Sequence, residues 1–290
     1  MILEVALVEF RSACFVPAGG FRHQRLATIS AEYGLFFTYP CLQSTRAICQ
    51  CPPLKFLEPC VPTLQSVPPT GDAWLHEIKI DGWRCQLVKE GRRIRFFSRR
   101  GNDLHRRLGS FAEGFQALDA RSATIDGELT VADPKGLPDF GALGSAMRRR
   151  KRDLMFVAFD LLELNGRDLR NESLETRRGR LEELLKASGI GCVCFSEAFD
   201  DGPALLKACA GLGLEGIVSK RRDAPYRGGK RPEWVKVKTS EWREANQERW
   251  KLFQQPSKGE QDVGGNRGAR IDRANGGSAA GKTHARASEA

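Results

Sequence analysis

His76-Glu77-Ile78-Lys79-Ile80-Asp81-Gly82-Trp83-Arg84 is the stretch on which the reading of this chain turns. The run from Trp74 to Lys79 reads as an apolar strand that ends on a lysine. Asp81-Gly82 follows as a turn, and Arg84 places a second cation five residues beyond the first. A lysine amine attacks phosphorus only when neutral, so its ordinary pKa of about 10.4 has to fall, which burial and neighbouring cations both achieve. Arg84 is placed to be one such cation, or to bind a sugar or phosphate oxygen. Taken alone, the same residues also describe a hairpin with an exposed lysine, because Asp-Gly is a common turn.

Further strands flank this stretch. Arg84 to Val88 and Ile94 to Ser98 lie either side of Glu90-Gly91, and together with the first run they predict an antiparallel meander. Ala123 to Val131 alternates, whereas Leu154 to Leu162 is almost continuously apolar and is expected to be buried. Ser173 is placed to cap a helix through Leu174, Leu181, Leu184 and Leu185 that stops at Gly189, and Asp201 to cap another holding Leu205, Leu206 and Leu212. Short strands are expected at Ile217 to Ser219 and Trp234 to Lys238. Strands and helices in separate blocks, without a βαβ rhythm, define an α+β fold.

At 290 residues and 41% hydrophobic, the chain can build a sizeable core. Its formal charge of +10 favours a polyanionic partner, since clustered Lys and Arg displace counterions from phosphates. No apolar run is long enough to span a bilayer, and Met1-Ile2-Leu3-Glu4 lacks a basic signal region, so a cytoplasmic protein with no membrane partner is expected. The nine cysteines form no paired framework. Cys49-Gln50-Cys51 and Cys192-Val193-Cys194 lack zinc-ligand spacing, which fits reduced thiols. Residues 1 to 52 show no sustained periodicity and are expected to be an irregular extension, followed by a proline-rich extended segment (Pro52 to Pro69) that wraps a surface. Trp242, Ala245, Trp250 and Phe253 share a helical face and predict a last helix over 244–254; residues 255–290 are too polar to offset their ordering entropy and are expected to be disordered.

Clusters that carry chemistry follow Lys79 in order. Phe97-Ser98-Arg99-Arg100-Gly101 sets two guanidiniums after a strand, suited to a terminal phosphate. Asp126-Gly127-Glu128-Leu129 puts a carboxylate on a strand, and Phe156-Val157-Ala158-Phe159-Asp160 offers an aromatic that can stack on a base. Glu215-Gly216-Ile217-Val218-Ser219-Lys220 repeats the carboxylate-glycine pattern, and Trp234-Val235-Lys236-Val237-Lys238 places two lysines on one strand face. In this order the clusters resemble the motif series of the covalent nucleotidyltransferases. From His76 through Ala224-Pro225-Tyr226-Arg227-Gly228-Gly229 the chain looks like the bacterial ATP-dependent DNA ligases, above all the ligase domain of the multifunctional end-joining ligase D proteins, over roughly residues 53 to 243.

The resemblance implies two packed, mainly antiparallel sheets flanked by helices, and a role for each residue. Lys79 would be adenylated by ATP. Arg84 and Glu128 would contact the ribose and Glu77 would join the nucleotide contacts; Phe159 and Val218 would cover the two faces of the adenine. Glu215, with Glu128, would hold Mg²⁺ or Mn²⁺, while Lys236 and Lys238 would neutralise the α-phosphate. Arg99 and Arg100 would meet nicked or broken double-stranded DNA at its 5′-phosphate. The AMP would then pass to that phosphate and the nick would be joined by a protein acting as a monomer. An RNA ligase, a guanylyltransferase or a silent nucleic-acid-binding relic would share much of this pattern. The basic run Met147-Arg148-Arg149-Arg150-Lys151-Arg152 reads as a solvated loop that could add DNA contacts. Only 52 residues follow Lys238, too few for the OB-fold that closes over such sites, so the chain is expected to be a stand-alone adenylation domain, a truncated or decayed ligase, or half of a split enzyme, its sealing impaired or dependent on an OB-fold or end-joining partner.

Overall fold

Eleven strands among the described residues, 55–247 of a computed structural model, divide into two open sheets. The first contains β1 (Cys60–Leu64), β2 (Trp74–Ile78), β9 (Ala198–Phe199), β10 (Gly216–Arg221) and β11 (Gly229–Lys238), in the order β1-β11-β10-β2-β9. The second contains β3 (Trp83–Glu90), β4 (Arg93–Ser98), β5 (Ser122–Val131), β6 (Leu154–Leu164) and β7 (Arg167–Asp168), in the order β4-β3-β5-β6-β7, with β8 (Val193–Phe195) added parallel to β6. Apart from that pair and β1 with β11, the neighbours are antiparallel. The α+β expectation holds.

The expected three-strand meander does not form. β3 and β4 make the hairpin around Glu90-Gly91, but β2 pairs β10 and β9 in the other sheet. Residues 79–82 therefore carry the chain across from one sheet to the next instead of turning it back. A Cβ on Gly82 would lie 2.4 Å from the Leu129 carbonyl oxygen and 2.9 Å from Glu128 Cγ, so the glycine serves a close passage against β5. The hairpin reading of Asp81-Gly82 fails because hairpin signals are local, whereas the partner of β2 lies some 140 residues away in sequence.

Among the described residues six α-helices flank the sheets: α1 (His105–Leu108), α2 (Ser110–Glu113), α3 (Phe140–Arg149), α4 (Leu174–Ser188), α5 (Gly202–Gly211) and α6 (Ser240–Ala245). The expected caps are in place. Ser173 Oγ accepts from Thr176 N at 3.2 Å, Gly189 takes the left-handed conformation at φ 60°, and Asp201 Oδ1 accepts from Ala204 N at 2.9 Å. Leu212 sits just past the end of α5. Of the last helix foreseen over 244–254, the part up to Ala245 lies in α6; Trp250 and Phe253, the extension 1–52 and the tail 255–290 lie outside the described residues.

Alternation along each strand sorts the side chains into layers. On the outer face of the second sheet, Leu87, Phe96, Ile125, Leu129 and Phe156 are buried with Leu108, Phe111 and Leu143 from α1, α2 and α3. The edge of Phe96 meets Phe115 at 5.2 Å and Phe156 at 5.4 Å between ring centroids, so truncating it to alanine should cost about 3–5 kcal/mol. The outer face of the first sheet buries Ile78, Ile217, Val235 and Val237 against Leu205 and Cys209 of α5. Leu75, Leu162, Tyr226 and Trp234 close one end of the space between the sheets. β6 is buried on both faces, as its continuous apolar run implies. The proline-rich segment runs extended up to β1: Gln86 holds Leu57 by two hydrogen bonds, to its N–H at 2.8 Å and its carbonyl at 3.1 Å. Among the described residues no helix is long and apolar enough to cross a membrane.

Candidate active site

The period of two puts charged residues on the inner faces of both sheets. On the first sheet Glu77, Val218 and Lys236 are cross-strand neighbours, and Lys238 stands opposite Gly216. On the second, Arg84 faces Glu128 and Gln86 faces Asp126 across β3 and β5. Lys79, one residue beyond β2, sits where the chain leaves the first sheet, its N–H held by the Gly216 carbonyl at 2.9 Å. Gly216 is required there: φ is 146°, and a Cβ would come within 2.0 Å of the Val237 carbonyl oxygen.

Glu215 organises the reactive end. Its Oε2 accepts from Lys79 Nζ at 2.8 Å and its Oε1 pairs with Lys238 Nζ at 2.8 Å. Burial pushes this carboxyl up, but the two lysines outweigh burial and hold it below its ordinary value. Lys238 also lies 4.2 Å from the Trp242 ring of α6, and burial lowers its pKa. Lys236 is pushed down to about 8 by burial and by the charges of Lys79, Lys238 and Arg99. Two lysines thus pair with one carboxylate and a third, Lys236, feels its charge, an excess of positive charge suited to a polyphosphate.

Glu128 behaves differently. Burial raises its carboxyl to about 8 against the pull of Lys79 and Arg84, with Glu215 and Asp126 adding to the rise. Its carboxyl makes no ion pair or hydrogen bond among the described residues. Beside it, Arg84 is locked onto Asp126 by two hydrogen bonds, at 3.2 and 2.7 Å, and its guanidinium lies 5.3 Å from the Phe159 ring centroid. Phe159 and Val218, both half-buried, border the same space. Lys220, buried, fits between Phe159 at 4.4 Å and Trp234 at 4.2 Å.

Glu77 lies deeper than the other candidates. Oε1 accepts from Arg178 at 2.7 Å and Lys220 at 2.8 Å, and Oε2 from Ser196 at 2.9 Å, so both oxygens already have donors. Arg99 and Arg100 stand exposed at the mouth after β4. Burial, Arg84 and Arg100 lower the Arg99 pKa while Glu128 opposes them, which puts Arg99 within electrostatic reach of the cleft. Arg148, Arg149, Arg150 and Arg152 are exposed at the end of α3 and just after it, and Arg106 and Arg107 are exposed on α1, which packs against α3. The sequence reading quoted Asp126 and Tyr226 within its motifs without giving them a role, and Arg178 and Ser196 of the cleft's supporting network escaped it. Arg177 and Arg178 did leave a signal, since they share the α4 face of Leu174 and Leu181, where arginine needs a buried acceptor.

A lysine, a bridging glutamate and two more lysines thus gather in a cleft between two mainly antiparallel sheets. Residues 59–238 match the ATP dependent DNA ligase domain, and the chain belongs to that family. The multifunctional non-homologous end joining protein LigD of Pseudomonas aeruginosa is 36% identical over 186 residues, which cover 63% of this chain and 22% of that protein. LigD of Mycobacterium tuberculosis is 35% identical over 169 residues, 57% of this chain and 21% of that one. The chain spans about a fifth of the length of these curated relatives. Among solved structures, a mycobacterial DNA ligase D complexed with ATP and MES superposes with a TM-score of 0.53 at 33% identity, and the ligase domain of M. tuberculosis LigD with 0.54 at 32%; each match covers 63% of this chain and 60% of the other.

Proposed function

We propose that residues 53–243 adenylate themselves on Lys79 from ATP and pass the AMP to the 5′-phosphate of nicked or broken duplex DNA, within end joining in the bacterial cytoplasm. The observation that carries this reading is Glu215 bridging Lys79 and Lys238 at 2.8 Å each: a nucleophile tethered beside a cation, with Lys236 completing a cradle for phosphate oxygens. The neutral Lys79 amine, its proton lost to solvent, attacks the α-phosphorus. A P–N bond forms, the bond to the β-phosphate oxygen breaks, and pyrophosphate leaves. Lys236 and Lys238 balance the charge that develops on the transferring phosphoryl group. An oxygen of the DNA 5′-phosphate next displaces Lys79 from phosphorus, and the adjacent 3′-hydroxyl finally displaces AMP.

Arg84, Glu128 and Phe159 line the side where sugar and base would lie, and Val218 covers the other face of the base. Glu77 sits under the pocket and shapes its floor through Arg178 and Lys220. Glu128 and Glu215 offer hard carboxylate oxygens near enough to influence each other electrostatically, and Glu128 lacks a cationic partner of its own, so this donor set fits Mg²⁺ or Mn²⁺. Such an ion supplies charge neutralisation to the polyphosphate when bound. Arg99 and Arg100, at the mouth of the cleft, are placed for the DNA 5′-phosphate.

The test is to incubate the protein with α-labelled ATP and a divalent ion and to look for label bound covalently. The parent protein is expected to label and Lys79→Ala to give none while melting at nearly the same temperature, since Glu215 keeps Lys238. Label that persists in the purified variant would remove Lys79 from this role.

A further inference from the structure

Arg84 spends two of its three guanidinium nitrogens on Asp126: Nε donates to Oδ1 at 3.2 Å and Nη2 to Oδ2 at 2.7 Å. Nη1 has no hydrogen-bond partner among the described residues, and the group is flanked by the Phe159 and Trp234 rings at 5.3 and 5.7 Å. Where Nη1 points is therefore decided by how Asp126 is held. Asp126 is 1% exposed, and beyond Arg84 its Oδ2 takes one more bond, from the Tyr226 hydroxyl at 2.5 Å. That hydroxyl in turn accepts from the Cys60 N–H of β1 at 3.0 Å. The ring is fixed as well, edge-on to Trp234 at 6.0 Å and under the Arg177 guanidinium at 5.8 Å, with the Tyr226 N–H on the Arg170 carbonyl at 2.8 Å. Burial and the Asp126 charge keep the phenol protonated, which leaves it a donor.

We propose that Tyr226 is a positioning residue for nucleotide sugar recognition: its phenol fixes Asp126, and Asp126 fixes Arg84 so that Nη1 is presented to a ribose hydroxyl. The chain Cys60 N–H, Tyr226, Asp126, Arg84 crosses from β1 of the first sheet to β3 of the second, so it also sets the width of the cleft at its sugar end. Tyr226→Phe keeps the ring and its packing while removing the donor. Asp126 then keeps one charged partner but loses its second anchor, and the guanidinium gains freedom that a bound nucleotide must remove. The proposal deepens the adenylation reading and rests on it.

The experiment measures the rate of lysyl-AMP formation against nucleotide concentration for ATP, 2′-deoxy-ATP and 3′-deoxy-ATP, in the full chain and in Tyr226→Phe. For ATP the half-saturating concentration is expected to rise roughly tenfold while the maximal rate stays within about twofold, as for the loss of one hydrogen bond to a charged group. For the deoxynucleotide lacking the hydroxyl that Nη1 reads, the rise is expected to be under about threefold, because that contact is already gone. An equal rise for all three nucleotides would reduce Tyr226 to a packing role, and no rise would remove it from recognition; either result overturns the proposal. If Tyr226→Phe is unfolded at the assay temperature, the same comparison on Asp126→Asn, which keeps the side-chain volume, decides by the same outcomes. Failure of the parent protein to label at Lys79 would count against the adenylation reading itself, which separates the two.

Discussion

Replacing Glu128 by glutamine should make the nucleotide-free domain more stable at pH 8. The carboxyl has no ion pair or hydrogen bond to lose among the described residues, and burial raises it from 4.5 to about 8. Because the folded protein holds this proton more tightly than the unfolded chain, the stability tied to it is fully present below about pH 4.5 and is lost as pH rises through about 8. Moving a carboxyl over that range penalises the charged form by up to about 5 kcal/mol. Glu128 is only half-buried, and solvent screening reduces the figure to roughly 2–3 kcal/mol. For a domain of this size that is a gap of about 5–10 °C in melting temperature. Thermal melts of the parent and Glu128→Gln from pH 5 to 8.5 should therefore run together at the acid end and separate toward pH 8, with the variant higher. Millimolar Mg²⁺ at pH 8 should raise the parent and narrow the gap, since the cation gives the carboxylate its missing partner. Parallel curves across the range, or a variant less stable at pH 8, would refute both the assigned burial penalty and the place of Glu128 in a cation site.

Other perturbations have equally definite outcomes. Asp160→Ala strands the Arg177 guanidinium at a fully buried ion pair, both partners 0% exposed, and should cost about 3–5 kcal/mol in denaturant unfolding. Lys238→Met should slow lysyl-AMP formation by about 10²–10³ in single-turnover assays while Lys79 keeps its contact with Glu215. Lys236 is cationic below about 8 in the free protein, so ATP affinity should decline as pH rises above that value in the parent and much less in Lys236→Met, read by equilibrium titration. Replacing Arg148, Arg149, Arg150 and Arg152 together by serine should leave self-labelling intact and lower the salt slope of duplex DNA binding by roughly 3–4; an unchanged slope would leave that run as a solvated surface.

The elements that sequence shows well here are the ones whose signals are local. Ser173 and Gly189 bound α4, Asp201 starts α5, and the continuous apolar run of β6 is buried on both faces, because capping and periodicity act within a few residues. The allocation of β2 to a different sheet from β3 was not legible, since the two abut in sequence and only the distant β10 decides between them. The short helices α1 and α2 also went unseen, because four residues cannot display a period of 3.6. Within the cleft, Lys79, Glu215 and Lys238 could be singled out by residue type and order. Their supports could not, for Tyr226 lies 100 residues from Asp126 and Arg178 lies 101 from Glu77. Neither partner announces the other until the sheets have closed.

The crossing from Lys79 to Arg84 leaves the proposed nucleophile at the end of a strand of one sheet and the proposed sugar contact on the other, with only four residues, Ile80 to Trp83, between them. On the proposed function, a nucleotide bonded to Lys79 and resting on Arg84 and Phe159 would brace the seam like a strut. A noncovalent strut comes and goes with ATP concentration, but one fixed by a P–N bond stays until DNA takes the AMP away. The loaded protein is then expected to be the stiffer object, with slower amide exchange on the inner strands of both sheets, and delivery of its cargo to be the event that loosens it. On that proposal, whether the domain is charged would be written into its rigidity, where a protease or an exchange experiment would read it without any nucleotide being detected.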